Sequence, residues 1–547
     1  MTALRAARTP LDERQRLTAA VAADPVNPDL RRALGRLLAR AGEPRPALEQ
    51  YRAVLNLVPN DPDAAADAGL MARRCALEEE VLPLVRAAAD ANPRHPRLWQ
   101  VLGLMHRSLD ELDPATAALD RAAALAPKDP LIVHGRARAW MEGGKPAVGY
   151  FEQALRLAPT DQTILQGLMA ALVAENRSDD AVALARAALR RYPEWIAVHE
   201  TLAQHLWSVG EKEGFTASME EALRTRPRDV LLWKALIIVL MQAKLFEQAL
   251  AAIERGRAAA GDHLVFDANE AVCHSDTGDF AAADRLYASV PLDDPTIRLR
   301  YVGHLLKTGR PAQAEETALP MTRTPAAADF WPYLSIAWRM TGNPLWEWLE
   351  GDPRLVGTFD LAEALPSLEA LAAFLRSLHL TTHQPLEQSV RGGTQTDGML
   401  FMRTEPEVRS LRAAIVEAVR EHIAQLPPVD PGHPLLARSR APIRFTGSWS
   451  IRLTGGGRHA NHVHPAGWFS SALYIALPDP AERGPEPAGW LTLGEPPAEL
   501  GLDLPPFRTI EPQPGRLALF PSTMWHGTRP FAEGERLTVA FDVAPPL

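Results

Sequence analysis

The chain has 547 residues, too many for one ordinary core, so several domains or a repeat array with an added domain are expected. Hydrophobic residues make up 46% and charged residues 23%, values that exclude a disordered chain. A formal net charge of −9, with no basic block to offset it, excludes a general nucleic-acid binder. Two cysteines, Cys75 and Cys273, stand far apart and form no ligand-spaced cluster, which points to a reducing compartment. The opening residues lack the apolar core of a secretion signal, and no run approaches ~20 apolar residues. The expectation is a cytoplasmic protein without a membrane span.

Residues 1–342 read as a repeat array. Prolines recur at Pro25, Pro59, Pro93, Pro127, Pro159, Pro193 and Pro227, in steps of 34 residues except for one step of 32. The phase continues to Gly261 and Pro295. One unit carries Trp99, Leu102, Gly103, Ala115, Leu119, Ala122 and Pro127; other copies carry Ala47, Tyr51 and Pro59, or Ala147, Phe151, Ala154 and Pro159. Large apolar residues fill one helix, small residues let the second approach, and proline ends the unit. Period and residue types resemble the tetratricopeptide repeat, a helix–turn–helix unit that stacks into a superhelix with a concave groove. The resemblance implies a protein or peptide partner in that groove; a spacer or dimerisation scaffold is the alternative.

The repeat signal stops at about residue 343. Residues 343–442 read as a linker with helices over 364–378 and 405–425. Between them lies SVRGGTQT, residues 389–396, in which Arg391 and two glycines predict either a substrate clamp or a tight turn into a strand. From 443 to 547 the period changes to two, in FTGSWSIRL, SSALYIALP, GWLTL, RLALF and RLTVAFDV, with turn clusters between them. Short strands at this spacing predict a jelly roll, with the preceding helices as its support.

Histidines cluster in RHANHVHPAGW. His462 and His464 stand two apart, so an extended chain aims both at one centre; His459 reads as a loop residue. A third histidine, His526, ends a later strand in FPSTMWHGTRP. Two ligands from one strand and one from another predict a mononuclear metal site. Imidazole suits several transition metals, so the ligands alone do not choose among them. Arg536, ten residues after His526, is suited to hold a planar carboxylate by two parallel hydrogen bonds. Trp449, Arg452, Trp468 and Trp525 flank these residues and are candidates for substrate contact or for plain packing and surface pairing.

These segments resemble the double-stranded β-helix of 2-oxoglutarate and Fe(II)-dependent oxygenases, close to the prolyl-hydroxylase-like branch. The resemblance rests on NHVHPAGWFSSALYIALP, PQPGRLALFPSTMWHGTRPF and GERLTVAFDV. It implies Fe(II), 2-oxoglutarate and O2, with His462 and His526 as iron ligands, Arg536 as the anchor of 2-oxoglutarate and Tyr474 beside it. It implies hydroxylation of a C–H bond coupled to formation of succinate and CO2. One position departs from the family pattern of two histidines and a carboxylate: His464 stands where the acid is expected. Either His464 is a third ligand, or it lies behind two histidines and water, or the metal is not iron. The chain as a whole is then expected to be multidomain, an all-α repeat superhelix followed by a jelly roll. Three functions are open: an oxygenase acting on a protein or peptide recruited by the repeats, an interaction scaffold with an inactive oxygenase-like domain, and a small-molecule oxygenase.

Overall fold

The structure, a computed structural model, describes residues 10–546 apart from 366, 387, 438 and 439. Contacts divide it into two compact units, one drawn from described residues up to 171 with 402–404, the other from 172–401 with 405–546. No helix among the described residues is long and apolar enough to cross a membrane.

Both units contain antiparallel helical hairpins of the expected repeat. In the first, helices such as Pro28–Arg40, Pro62–Cys75 and Pro96–Ser108 each begin with proline, where the missing N–H costs nothing. Asn27, Asp61 and Asp129 cap their helices by accepting backbone N–H bonds. The paired helices approach closely. A side chain at Gly103 would meet Leu119 Cγ at 2.6 Å, which is why that position holds glycine.

The periodic prolines have a second role. At several of them the carbonyl accepts a hydrogen bond from a side chain six residues on, as in Trp99 Nε1 to Pro93, His199 Nε2 to Pro193 and Trp233 Nε1 to Pro227. The aromatic group thus fills the hairpin and pins the loop that the proline turns.

In the second unit the last helix of the array, Ala327–Thr341, packs into the β-rich part of the same unit. Trp525 Nε1 donates to Pro332 O, and Arg339 Nη2 donates to Pro505 O at 2.7 Å. Contacts therefore cross residue 342, where the sequence pattern changes.

Among the described residues nine strands follow: β1 Gly357–Asp360, β2 Val390–Gln395, β3 Phe445–His459, β4 Phe469–Ala476, β5 Leu491–Leu493, β6 Arg508–Ile510, β7 Arg516–Pro521, β8 His526–Thr528 and β9 Glu535–Val543. They form an antiparallel sheet in the order β1-β7-β4-β9-β3-β2 and a smaller one in the order β6-β5-β8, a jelly-roll arrangement. Period two sorts the large sheet into two faces. Leu473, Leu517, Leu519, Leu537, Val539 and Phe541 face outward and are covered by the helices Leu368–Ser377 and Pro406–Gln425. Ala518 and Phe520 face the small sheet, where they pack with Leu491 and Leu493.

Strands β1 and β2 arise from the segment that the sequence suggests is linker and helix. The glycine pair of β2 serves strand pairing: a Cβ at Gly393 would meet Arg452 O at 2.3 Å, and a bulge separates Arg391 from Gly393.

Replacing Trp233 tests the proline clamp. Trp233→Phe keeps most of the packing but loses the donor, at about 1 kcal/mol; Trp233→Ala also loses the ring, at about 3–5 kcal/mol. Trp233→Phe unfolding in urea at the wild-type midpoint would contradict a share for the hydrogen bond.

Candidate metal centre

The site is held by backbone pairing before any side chain acts. His462 N donates to His526 O at 2.9 Å and His526 N donates to His462 O at 3.0 Å, an isolated antiparallel bridge that sets the two histidines side by side. Gly527 makes the approach achievable, because a Cβ there would meet Asn461 Oδ1 at 2.0 Å. His464 is fixed through its own N–H to Ser522 O at 2.8 Å. The imidazole centroids of His462 and His526 lie 4.2 Å apart, those of His462 and His464 4.8 Å, and those of His464 and His526 5.2 Å. One ring nitrogen from each histidine falls within 4.8 Å of the others.

The second ring nitrogens fix which nitrogen faces inward. His462 Nδ1 donates to Ala460 O at 2.8 Å, and His526 Nδ1 donates to Met524 O at 2.9 Å. Both partners are carbonyls two residues upstream. His464 Nδ1 instead donates to the Asp542 carboxylate, at 2.8 Å and 2.7 Å to its two oxygens. In all three rings Nδ1 is used, which leaves Nε2 with its lone pair for a metal. Burial, reinforced by the neighbouring histidines, holds His462 and His526 well below the ordinary histidine range, so both are neutral near pH 7. A set of neutral imidazole nitrogens suits a transition-metal ion, and no carboxylate lines the pocket among the described residues.

Arg536 lines the same pocket from β9 and is 2% exposed. Its Nη1 donates to Gly489 O at 2.9 Å, while its Nε has no partner. The Tyr474 ring centroid lies 4.9 Å from the guanidinium carbon, and its buried hydroxyl interacts with Arg536 without a hydrogen bond of normal geometry. A buried guanidinium without an anion is costly, so orphaned donors here mark a place for an acidic or carbonyl-bearing ligand. This donor set fits a small dicarboxylate next to a metal.

Trp449 also lines the pocket, its ring centroid 5.6 Å from that of His464. The other four candidates for substrate contact lie elsewhere. Arg391 donates Nη1 to Val390 O at 2.8 Å and to Gln388 O, within its own strand segment. Arg452 pairs with Glu535. Trp468 donates to Leu435 O and packs in the helix-covered core, and Trp525 packs against Tyr333.

The structure adds residues that sequence reading passes over. His459, read as a loop residue, ends β3, lines the pocket and shares a 3.0 Å hydrogen bond with the Ser389 hydroxyl. Gln388, Ser389 and Gln395 bring the β2 region to the pocket wall. Asp542 is the further case. Counting back by two from it gives Ala540, Thr538 and Arg536, all lining the pocket, so strand alternation from Arg536 carries the signal.

Acid sensitivity follows from the buried histidines. Burial lowers His459 to about 3 and His422 to about 4. The unfolded chain takes these protons near 6.5 and the folded chain only at the lower values, so stability is full above 6.5 and falls as pH drops below it. The metal-free protein is expected to melt at steadily lower temperature from about pH 6.5 to 5, above the usual carboxylate range. His422→Leu should flatten that slope, and a melting temperature that rises on acidification would contradict the account.

Similar proteins match the two parts of the chain separately. Among solved structures, YrrB, a TPR protein with an unusual peptide-binding site, is 18% identical, covers 34% of this chain and 96% of its own, and has a TM-score of 0.29. PilW, a type IV pilus biogenesis factor, is 19% identical over 34% of this chain and 87% of its own, with a TM-score of 0.31. A thermophilic TPR protein of Thermus thermophilus is 22% identical over 33% of this chain and 100% of its own, with a TM-score of 0.28. No curated protein matches the chain. Residues 447–542, which hold all three histidines and Arg536, match the family model described as "Putative 2OG-Fe(II) oxygenase".

Proposed function

We propose that the C-terminal domain is an Fe(II) and 2-oxoglutarate-dependent hydroxylase with a three-histidine centre, acting on a protein or peptide recruited by the helical repeats. The observation that carries this reading is the meeting of His462, His464 and His526 with Arg536 in one pocket. His462, His464 and His526 would hold the iron through Nε2. Arg536 would receive the distal carboxylate of 2-oxoglutarate on its unpartnered Nε, with the Tyr474 hydroxyl as a second donor. When bound, iron and the keto acid supply the oxidising chemistry, which turns 2-oxoglutarate into succinate and CO2. The chain's own residues orient the co-substrate and keep water from it. Ala472, Leu491 and Phe520 give the pocket an apolar wall, and Trp449 closes it beside His464.

The inactive-scaffold alternative is disfavoured by Arg536. A buried guanidinium lacking an anion destabilises the fold, and nothing in packing alone requires it. The repeats supply the recruiting surface in this reading, since stacked helical hairpins present an extended face to a partner.

Anaerobic addition of Fe(II) and 2-oxoglutarate should give a weak visible charge-transfer band, and admitting air should release succinate. Arg536→Ala should weaken 2-oxoglutarate at least ~10-fold while leaving metal uptake intact, through loss of charge-assisted hydrogen bonds. His526→Ala should abolish both signals. A wild-type protein that binds metal yet gives neither band nor succinate would refute the oxygenase reading.

A further inference from the structure

Three neutral imidazoles around a divalent cation leave its charge uncompensated, and the buried Arg536 adds a further positive charge to the same pocket. Charge in so enclosed a place needs a nearby anion. We infer that Asp542 is that anion, and that it acts through His464: it locks the ring with Nε2 inward and supplies the negative charge from behind the ligand. The inference rests on the proposed metal centre and adds a positioning residue to it.

Several observations converge on Asp542. It is 7% exposed, on the pocket-facing side of β9. Both of its carboxylate oxygens lie within 2.8 Å of His464 Nδ1. The carboxylate is itself fixed, since the Ser470 hydroxyl donates to Oδ1 at 2.6 Å and lies 2.9 Å from the Ser522 hydroxyl. Ser522 also receives the His464 N–H on its carbonyl, so ligand and anion share one support. That support needs Gly467, where a Cβ would meet Ser522 Oγ at 2.4 Å and Asp542 Cβ at 3.2 Å.

The contrast with the other two histidines makes the point. His462 and His526 are oriented by neutral carbonyls on their own chain segments. Orientation alone is served by a carbonyl. His464 alone of the three is backed by a carboxylate, one delivered from a strand 78 residues away in sequence. An anion hydrogen-bonded to an imidazole makes the ring a stronger electron donor, so this ligand differs from its neighbours in strength as well as direction.

The test is a double-mutant cycle on the full chain, with Co(II) as the probe and affinity read by equilibrium dialysis. Asp542→Asn retains size and removes charge, and should weaken Co(II) about 10–100-fold. His464→Asp places a carboxylate directly at the centre and makes the outer anion redundant. In that background Asp542→Asn should leave Co(II) affinity unchanged or raise it. Melting of each metal-free protein by circular dichroism separates lost folding from lost affinity, since a purely structural Asp542 lowers metal-free stability in both backgrounds alike. Equal weakening by Asp542→Asn in both backgrounds overturns the role of Asp542. So does Asp542→Asn binding Co(II) as tightly as wild type. A wild-type chain that takes up no Co(II) overturns the metal centre itself, a result distinct from the other two.

Discussion

The site depends on two backbone hydrogen bonds, between the N–H and carbonyl groups of His462 and His526. They join the extended segment after β3 to the start of β8, and so bring together residues 64 positions apart. Because the pairing is made by the main chain, the two imidazoles are set before any ion arrives. The glycine after His526 and the carbonyls two residues before each histidine then fix approach and ring orientation. Preorganisation of this kind spares a ligand the cost of ordering its own site.

Charge is the second constraint. The pocket gathers lone pairs by holding histidines neutral through burial, and it gathers positive charge at Arg536, whose Nε is left unsatisfied. Neither feature serves stability: buried neutral histidines make the fold sensitive to acid, and a buried unpaired guanidinium is costly. The proposed metal, with an anionic co-substrate beside it, would account for both. The hydrophobic layers on either side carry the stability instead, one beneath the two covering helices and one between the sheets.

Much of this was legible in the sequence, for identifiable reasons. The 34-residue proline step survives because the prolines turn the loops between hairpins, and at Pro25, Pro93, Pro193 and Pro227 the carbonyl is used again by a side chain six residues on. The period of two in RLTVAFDV survives because β9 lies between β3 and β4, with one face on the core and the other on the pocket. Strands β1 and β2 were harder to read. The first is four residues long, and the second carries glycines demanded by a close approach to β3 rather than an apolar alternation. Arg452, Trp468 and Trp525 sit near the clustered histidines in sequence yet turn to other partners, because neighbouring residues on strands and turns face opposite ways. Asp542 is not legible in the sequence for the converse reason: it is remote from His464 in sequence and adjacent only through strand pairing.

The central claim is that three imidazoles, with no carboxylate among them, surround one metal ion. X-ray absorption of the full-length protein loaded with one equivalent of Fe(II) under anaerobic conditions tests it directly, because imidazole rings give outer-shell scattering that counts them. Three imidazoles are expected for the wild type and two for His464→Ala. Two imidazoles in the wild type, unchanged by His464→Ala, would contradict the claim.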